Sequence, residues 1–140
     1  MINFNDVLSN CSVTLIDNLD SFLILNNRTG FHNAVENTIA HVSFDVDTKP
    51  QVFETTIRVL GGLLSAHIFS VESTYGFALP GYNNELLELA HDLGKRLLPA
   101  FNTPTGIPYA RVSFQPLSGM AKPYGPTDQP SERCPKWRKQ

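Results

Sequence analysis

Apolar positions recur with a helical period in four stretches of this chain. The longest covers residues 50–69, PQVFETTIRVLGGLLSAHIF. There Phe53, Ile57, Leu60, Leu64 and Ile68 form one stripe, and Val52, Val59, Leu63 and Ala66 form a second. A helix apolar on two faces is built to be covered on both. Residues 14–25 carry Leu15, Ile16, Leu19, Phe22 and Leu23 on one side. Residues 31–42 carry Phe31, Val35, Thr38/Ile39 and Val42, and residues 84–98 carry Leu86, Ala90, Leu93 and Leu97. Turn chemistry separates these runs: Asn26-Asn27-Arg28-Thr29-Gly30 after the first, Gly76, Pro80 and Gly81 within 70–82, and a Pro- and Thr-rich path from Pro99 to Pro108. Thr48-Lys49-Pro50-Gln51 reads as a capping box for the long helix, with Thr48 as cap and Gln51 reaching back. Residues 109–114 read as a short extended segment. The pattern predicts an all-α unit of about four helices, the first two antiparallel across their short turn.

Charge changes the picture inside the long run. Glu54 and Arg58 stand one helical turn apart on a shared face that Gly61 and Ser65 continue. Two readings fit: a pair in the first turn, with Glu54 favoured by the N-terminal dipole, or a catalytic carboxylate held by an arginine at a pocket rim. Gly61-Gly62 bears on the choice. Each glycine costs about 1 kcal/mol relative to alanine inside a helix, and close approach of another backbone or a ligand is the expected compensation. Asp17 and Asp20, three apart, also share a face, either as acids complementing a helix dipole or as substrate or metal contacts. Asp45 and Asp47 have a D-x-D spacing but lack the remaining positions of a calcium loop, so they read as solvated turn acids.

Composition adds bounds. At 140 residues and a net charge of −2, the chain has room for one modest core and offers no general electrostatic case for nucleic acid or an anionic membrane. No uninterrupted apolar run reaches transmembrane length, and MINFNDVLSNCS has neither the basic region nor the apolar core of a secretory signal sequence. Cys11 and Cys134 lack metal-ligand spacing and read as two unrelated thiols. Asn10-Cys11-Ser12 and Asn27-Arg28-Thr29 both fit the N-glycosylation acceptor pattern, the second in a polar turn. Half of the ten prolines follow Ser113, apolar periodicity stops there, and the end is basic at Lys136, Arg138 and Lys139. A disordered tail is expected over residues 113–140.

The wording of the helices is itself informative. SVTLIDNLDSFLILNN, VSFDVD, VFETTIRVLGGLLSAH and YNNELLELAHDLGKRLLPAFNTPTGIPYARV resemble glycoside hydrolase family 47, the class I α-1,2-mannosidases, and within it the ER degradation-enhancing mannosidase-like (EDEM) proteins. The resemblance runs from Ile2 to Val112. It implies a portion of an (α/α)7 barrel and an inverting glycosidase that removes terminal α-1,2-mannose with the help of calcium. It implies partners too: high-mannose N-glycans on misfolded glycoproteins, in the endoplasmic reticulum lumen or associated with its membrane. The family's F-E-x-x-I-R motif falls on Glu54 and Arg58, which implies Glu54 as the catalytic acid and Arg58 as its orienting, sugar-contacting neighbour. Asp17 and Asp20 fall on a D-x-L-D segment expected to support the barrel mouth or contact glycan. The family's other catalytic acids and its calcium-binding threonine follow the part matched here. Residues 113–140, by their wording, resemble nothing in the family, and the H-D-E-L-x-P segment that ordinarily precedes Ile2 is absent. The expectation is therefore a partial domain over 1–112, truncated and without activity of its own. The alternative is a non-catalytic glycan- or client-binding module of ER quality control.

Overall fold

The structure, a computed structural model, describes residues 13–114. Asn10, both cysteines and nearly all of the expected tail lie outside the described residues. The described part is helical: α1 (Val13–Asp17), α2 (Leu19–Ile24), α3 (Arg28–His41), α4 (Val52–Val71) and α5 (Glu85–Leu97), with 3₁₀ turns at Ser73–Tyr75 and Leu98–Phe101. Among the described residues it has no strand, and an antiparallel bridge joins Gln51 and Arg111.

The run expected as one helix over 14–25 is two short ones. Asn18 divides them, and its side-chain amide donates to the Thr14 carbonyl at 2.7 Å. Asparagine competes in this way for backbone partners, which weakens a helix interior. After α2 the chain reverses through Asn26 in the left-handed region (φ 52°). The Asn26 N–H donates to the Leu23 carbonyl at 3.0 Å and the Asn27 N–H to Phe22 at 2.9 Å. These are the paired bonds of a Schellman end, with asparagine where glycine is commonest. Asn27 then caps α3, its Oδ1 accepting from the Gly30 N–H at 2.9 Å.

The start of α4 departs from the expected capping box. The helix begins after Gln51, and no side chain caps it. Its first donor is satisfied by backbone instead: Val52 N–H donates to the Ala110 carbonyl at 2.9 Å. Phe114 N–H donates to the carbonyl of the buried Thr48 at 2.9 Å. The extended segment anticipated at 109–114 thus lies along residues 48–52 and takes over the cap's work. Arg96 on α5 locks the same region, reaching Asp92 (2.9 Å), Asp45 (3.6 Å) and the Phe114 carbonyl (3.3 Å).

One core runs through the unit. Phe31, Val35, Leu63, Leu86, Leu93 and Val112 are fully buried, with Phe31 edge-on to Phe77 and Phe44 edge-on to Phe114. The stripes predicted for α3 and α5 face it. The two stripes of α4 part company. Val52, Val59, Leu63 and Ala66 are buried, whereas Phe53 (70%), Ile57 (53%) and Ile68 (56%) stand exposed. Together with Phe101, Pro108 and Tyr109, Phe53 and Ile57 border a groove of about 540 Å³. At 20 residues α4 is also long and apolar enough to cross a membrane by those criteria alone. Its packed inner face is that of a core helix.

The two faces of α4 are expected to respond differently to substitution. Leu63→Ala should destabilise the unit by about 2–5 kcal/mol in chemical denaturation. Ile68→Lys should leave stability within about 0.5 kcal/mol and reduce concentration-dependent association in sedimentation. Equal destabilisation by both would contradict the assignment of an inner and an outer face.

Candidate active site

The candidate residues gather where α1 crosses α4. Two features of α4 set the geometry. First, Thr55 and Thr56 return their hydroxyls to the carbonyls of Gln51 and Val52, each at 2.7 Å. Such back-bonding perturbs the helical ladder, and here the backbone widens to a π-helix over Thr55–Leu60, with Gly61 N–H reaching the Thr56 carbonyl five residues back. The buried side follows the wider turn, stepping by four through Thr55, Val59 and Leu63 before reaching Ala66 and Ser70. Second, Gly62 lets α1 come close. A Cβ on Gly62 would lie 2.9 Å from Ile16 Cγ2 and 3.3 Å from the Ile16 carbonyl oxygen. The close approach anticipated from Gly61-Gly62 is therefore made by a neighbouring helix, and at Gly62 alone. The nearest atom to a Cβ on Gly61 would be 3.7 Å away.

Because Ile16 is seated on Gly62, the next residue, Asp17, meets Arg58. Arg58 Nη1 lies 3.2 Å from Asp17 Oδ2, and Arg58 Nε donates to Glu54 Oε2 at 2.6 Å. The hydrogen bond to Glu54, then that to Asp17, raise the pKa of Arg58 above its ordinary value, so the guanidinium stays charged. Asp20 joins the same hollow through a different partner, Ser65, whose hydroxyl donates to Asp20 Oδ1 at 2.8 Å. The hollow, about 270 Å³, is lined by Ile16, Asp17, Asp20, Ile57, Arg58 and the two glycines. Glu54 does not line it. It is half-buried and joined to the rim through Arg58.

Both readings of the Glu54–Arg58 pair thus find something in the structure. The pair is an i,i+4 contact near the helix start, and it also sits beside a polar hollow with two further carboxylates. Asn27 lies away from this group, at the α3 cap. Ser65 is the participant that the sequence signalled only by its place on the Glu54 face. The Thr55-Thr56 pair is the sequence mark of the widened turn. Among the described residues no three His, Cys, Asp or Glu side chains are grouped to hold a metal ion, so these residues alone do not fit a calcium centre.

Comparison with known proteins bears on this arrangement. The model of glycosyl hydrolase family 47 matches residues 2–132. The chain belongs to that family. The family match reaches past Val112, into the stretch whose wording alone resembles nothing in it. The chain is 56% identical over 120 residues to the ER degradation-enhancing alpha-mannosidase-like protein 1 of Schizosaccharomyces pombe, covering 86% of this chain and 15% of that protein. It is 49% identical over 109 residues to Alpha-mannosidase I MNS4 of Arabidopsis thaliana, covering 78% of this chain and 18% of that one. In three dimensions it matches the alpha-1,2-mannosidase from Trichoderma reesei with a TM-score of 0.68 and 29% identity, over 82% of this chain and 24% of the enzyme. The expected fold holds: the chain is an all-α, partial segment of the family 47 (α/α)7 architecture. It spans less than a fifth of the length of these two relatives.

The two glycines should separate structure from site. Gly62→Ala is expected to push α1 off α4, lowering the melting temperature and disrupting the Arg58–Asp17 contact. Gly61→Ala has room and a helical backbone, and should stabilise the helix by about 0.5–1 kcal/mol. Thermal melts of the two variants decide the point, and a stabilising Gly62→Ala would refute the close-approach account.

Proposed function

We propose that this segment supplies the acid side of an inverting α-1,2-mannosidase site that trims high-mannose Asn-linked glycans of misfolded glycoproteins in the endoplasmic reticulum. The carrying observation is the Glu54–Arg58–Asp17 chain of ion pairs at the edge of a polar hollow. Family membership, and the names of relatives called ER degradation-enhancing or alpha-mannosidase, support the reading.

In this reading the roles follow from the contacts. Arg58 holds Glu54 through Oε2. The other oxygen, Oε1, has no hydrogen bond among the described residues, and in the carboxylic acid form of Glu54 it is the atom that carries the proton and delivers it to the departing glycosidic oxygen. A planar guanidinium that also grips Asp17 cannot swing freely, so it fixes the direction in which Oε1 points. Asp17 and Asp20, whose second oxygens are uncommitted among the described residues, accept hydrogen bonds from sugar hydroxyls. Inversion needs a second carboxylate about 6.5–9.5 Å from the acid to activate water. In this reading that base, and the calcium of the family, belong to other segments of the barrel.

One trimming assay tests this. The 140-residue chain alone should release no mannose from a high-mannose glycan, with or without calcium. A longer family 47 chain carrying residues 2–112 should be active. Glu54→Gln in that longer chain should lower its rate by about 10²–10⁴-fold while preserving the fold, since the amide keeps the size but loses the transferable proton. Undiminished activity of Glu54→Gln would remove Glu54 from the mechanism. Retained glycan binding by a longer chain that lacks any Glu54-dependent trimming would favour the glycan-binding module instead.

A further inference from the structure

Thr56 holds the wide turn of α4 from both ends. Its hydroxyl donates to the Val52 carbonyl at 2.7 Å, and its own carbonyl accepts from Gly61 N–H. In an ordinary helix the Val52 carbonyl receives the amide of Thr56, so the hydroxyl competes for that acceptor and favours a longer step. Val52 is itself fixed, because its N–H donates to the Ala110 carbonyl at 2.9 Å. The turn is therefore tied to an anchored residue. Its consequence is one of register. Through the widened stretch Thr55, Val59 and Leu63 stay in line on the buried side, at steps of four. Glu54, Arg58 and Gly62, each one residue earlier, form the adjoining row, in which Gly62 meets Ile16 and Arg58 meets Asp17. At 3.6 residues per turn, eight residues would instead carry Glu54 about 80° round the helix from Gly62.

We propose that Thr56 is a positioning residue for the acid: its hydroxyl keeps the turn wide, and the wide turn holds Glu54 in line with Arg58 and Gly62. The inference rests on the reading of Glu54 as proton donor, and in that reading Thr56 touches no reacting atom. It acts through Arg58, whose Nε holds Glu54 Oε2 at 2.6 Å while Nη1 reaches Asp17 Oδ2 at 3.2 Å. A single planar group meets both carboxylates only if they lie to the same side of α4. With the hydroxyl gone, the ladder is free to return to the ordinary step, and Glu54 turns out of the row. Gly62 stays seated on Ile16 by sterics, so the displacement falls on the acid. Misplacement of a reacting group costs rate rather than affinity.

Two measurements test this. On the 140-residue chain, nuclear magnetic resonance follows the Arg58 Nε–H proton, which should be protected from exchange in the parent and in Thr56→Ser. Thr56→Val, which replaces the hydroxyl by a methyl, and Thr56→Ala should both lose that protection. Alanine is the strongest helix former, so loss of the helix would not account for the second result. In the longer family 47 chain carrying residues 2–112, Thr56→Val and Thr56→Ala should lower kcat by about 10–10²-fold with KM unchanged. Thr56→Ser, which restores the hydroxyl, should keep the parent kcat. An Arg58 Nε–H equally protected in every variant would overturn the proposal. Parent-like turnover of Thr56→Val and Thr56→Ala, in a chain that Glu54→Gln disables, would overturn it while leaving the acid in place. Undiminished turnover of Glu54→Gln would sink the acid reading and this inference with it.

Discussion

The contact on which the candidate site depends is the seating of Ile16 on Gly62. It is a purely steric event between α1 and α4, yet it decides the electrostatics beside it. Residues 16 and 17 are adjacent, so the helix that brings an isoleucine onto a glycine also brings a carboxylate to a guanidinium. Without that approach Arg58 would remain an ordinary i,i+4 partner of Glu54 on a helix surface, where such pairs contribute little. With it, the arginine becomes a cross-helix clamp on two acids. Asp20, one turn further along, finds Ser65 rather than a cation, so the hollow carries one carboxylate tied by charge and another tied by a neutral hydroxyl.

The helical periods, the buried stripes of α3 and α5 and the shared face of Glu54, Arg58 and Ser65 were legible in the sequence, because each is a consequence of local spacing. What was not legible depended on distant segments. Thr48 and Gln51 have the letters of a capping box, but residues 110–114 arrive alongside: the Ala110 carbonyl accepts from Val52 N–H, the first donor of the helix, and the Thr48 carbonyl accepts from Phe114 N–H, so the helix starts after Gln51 and not at Thr48. Asn18 broke a run that periodicity alone continues, because an amide that can bond the carbonyl four residues back competes with the helix it sits in. The widening at Thr55–Leu60 had a sequence mark, two adjacent threonines behind a glutamate. The pattern of apolar positions does not distinguish a wide turn from an ordinary one over six residues. The contact of Asp17 with Arg58 was not legible: the resemblance gave each a sugar-contacting role of its own, and nothing local relates residues 41 apart.

The double-sided hydrophobicity of α4 reads as a demand for cover on both sides, and the described residues meet it on one. Its inner stripe packs against α1, α2 and α5. Its outer stripe, headed by Phe53 and Ile57, borders the apolar groove. That is what a wall element of a larger helical barrel looks like, in agreement with a structural match that covers 24% of the Trichoderma reesei enzyme.

The groove and the polar hollow are not independent. Ile57 lines both. It stands next to Arg58 in sequence and, within the widened turn, its side chain forms the ridge between the apolar stripe and the charged one. An element that covers Phe53 and Ile57 must therefore end at the rim of the hollow. Burial of the stripe and completion of the hollow's open side become a single packing event. The same event would lower the local dielectric around Arg58 and its two carboxylates, strengthening contacts that solvent now screens. The apolar stripe of α4 and its charges thus share Ile57 as their border, so any cover laid on the stripe would also limit how far water reaches the carboxylates held by Arg58.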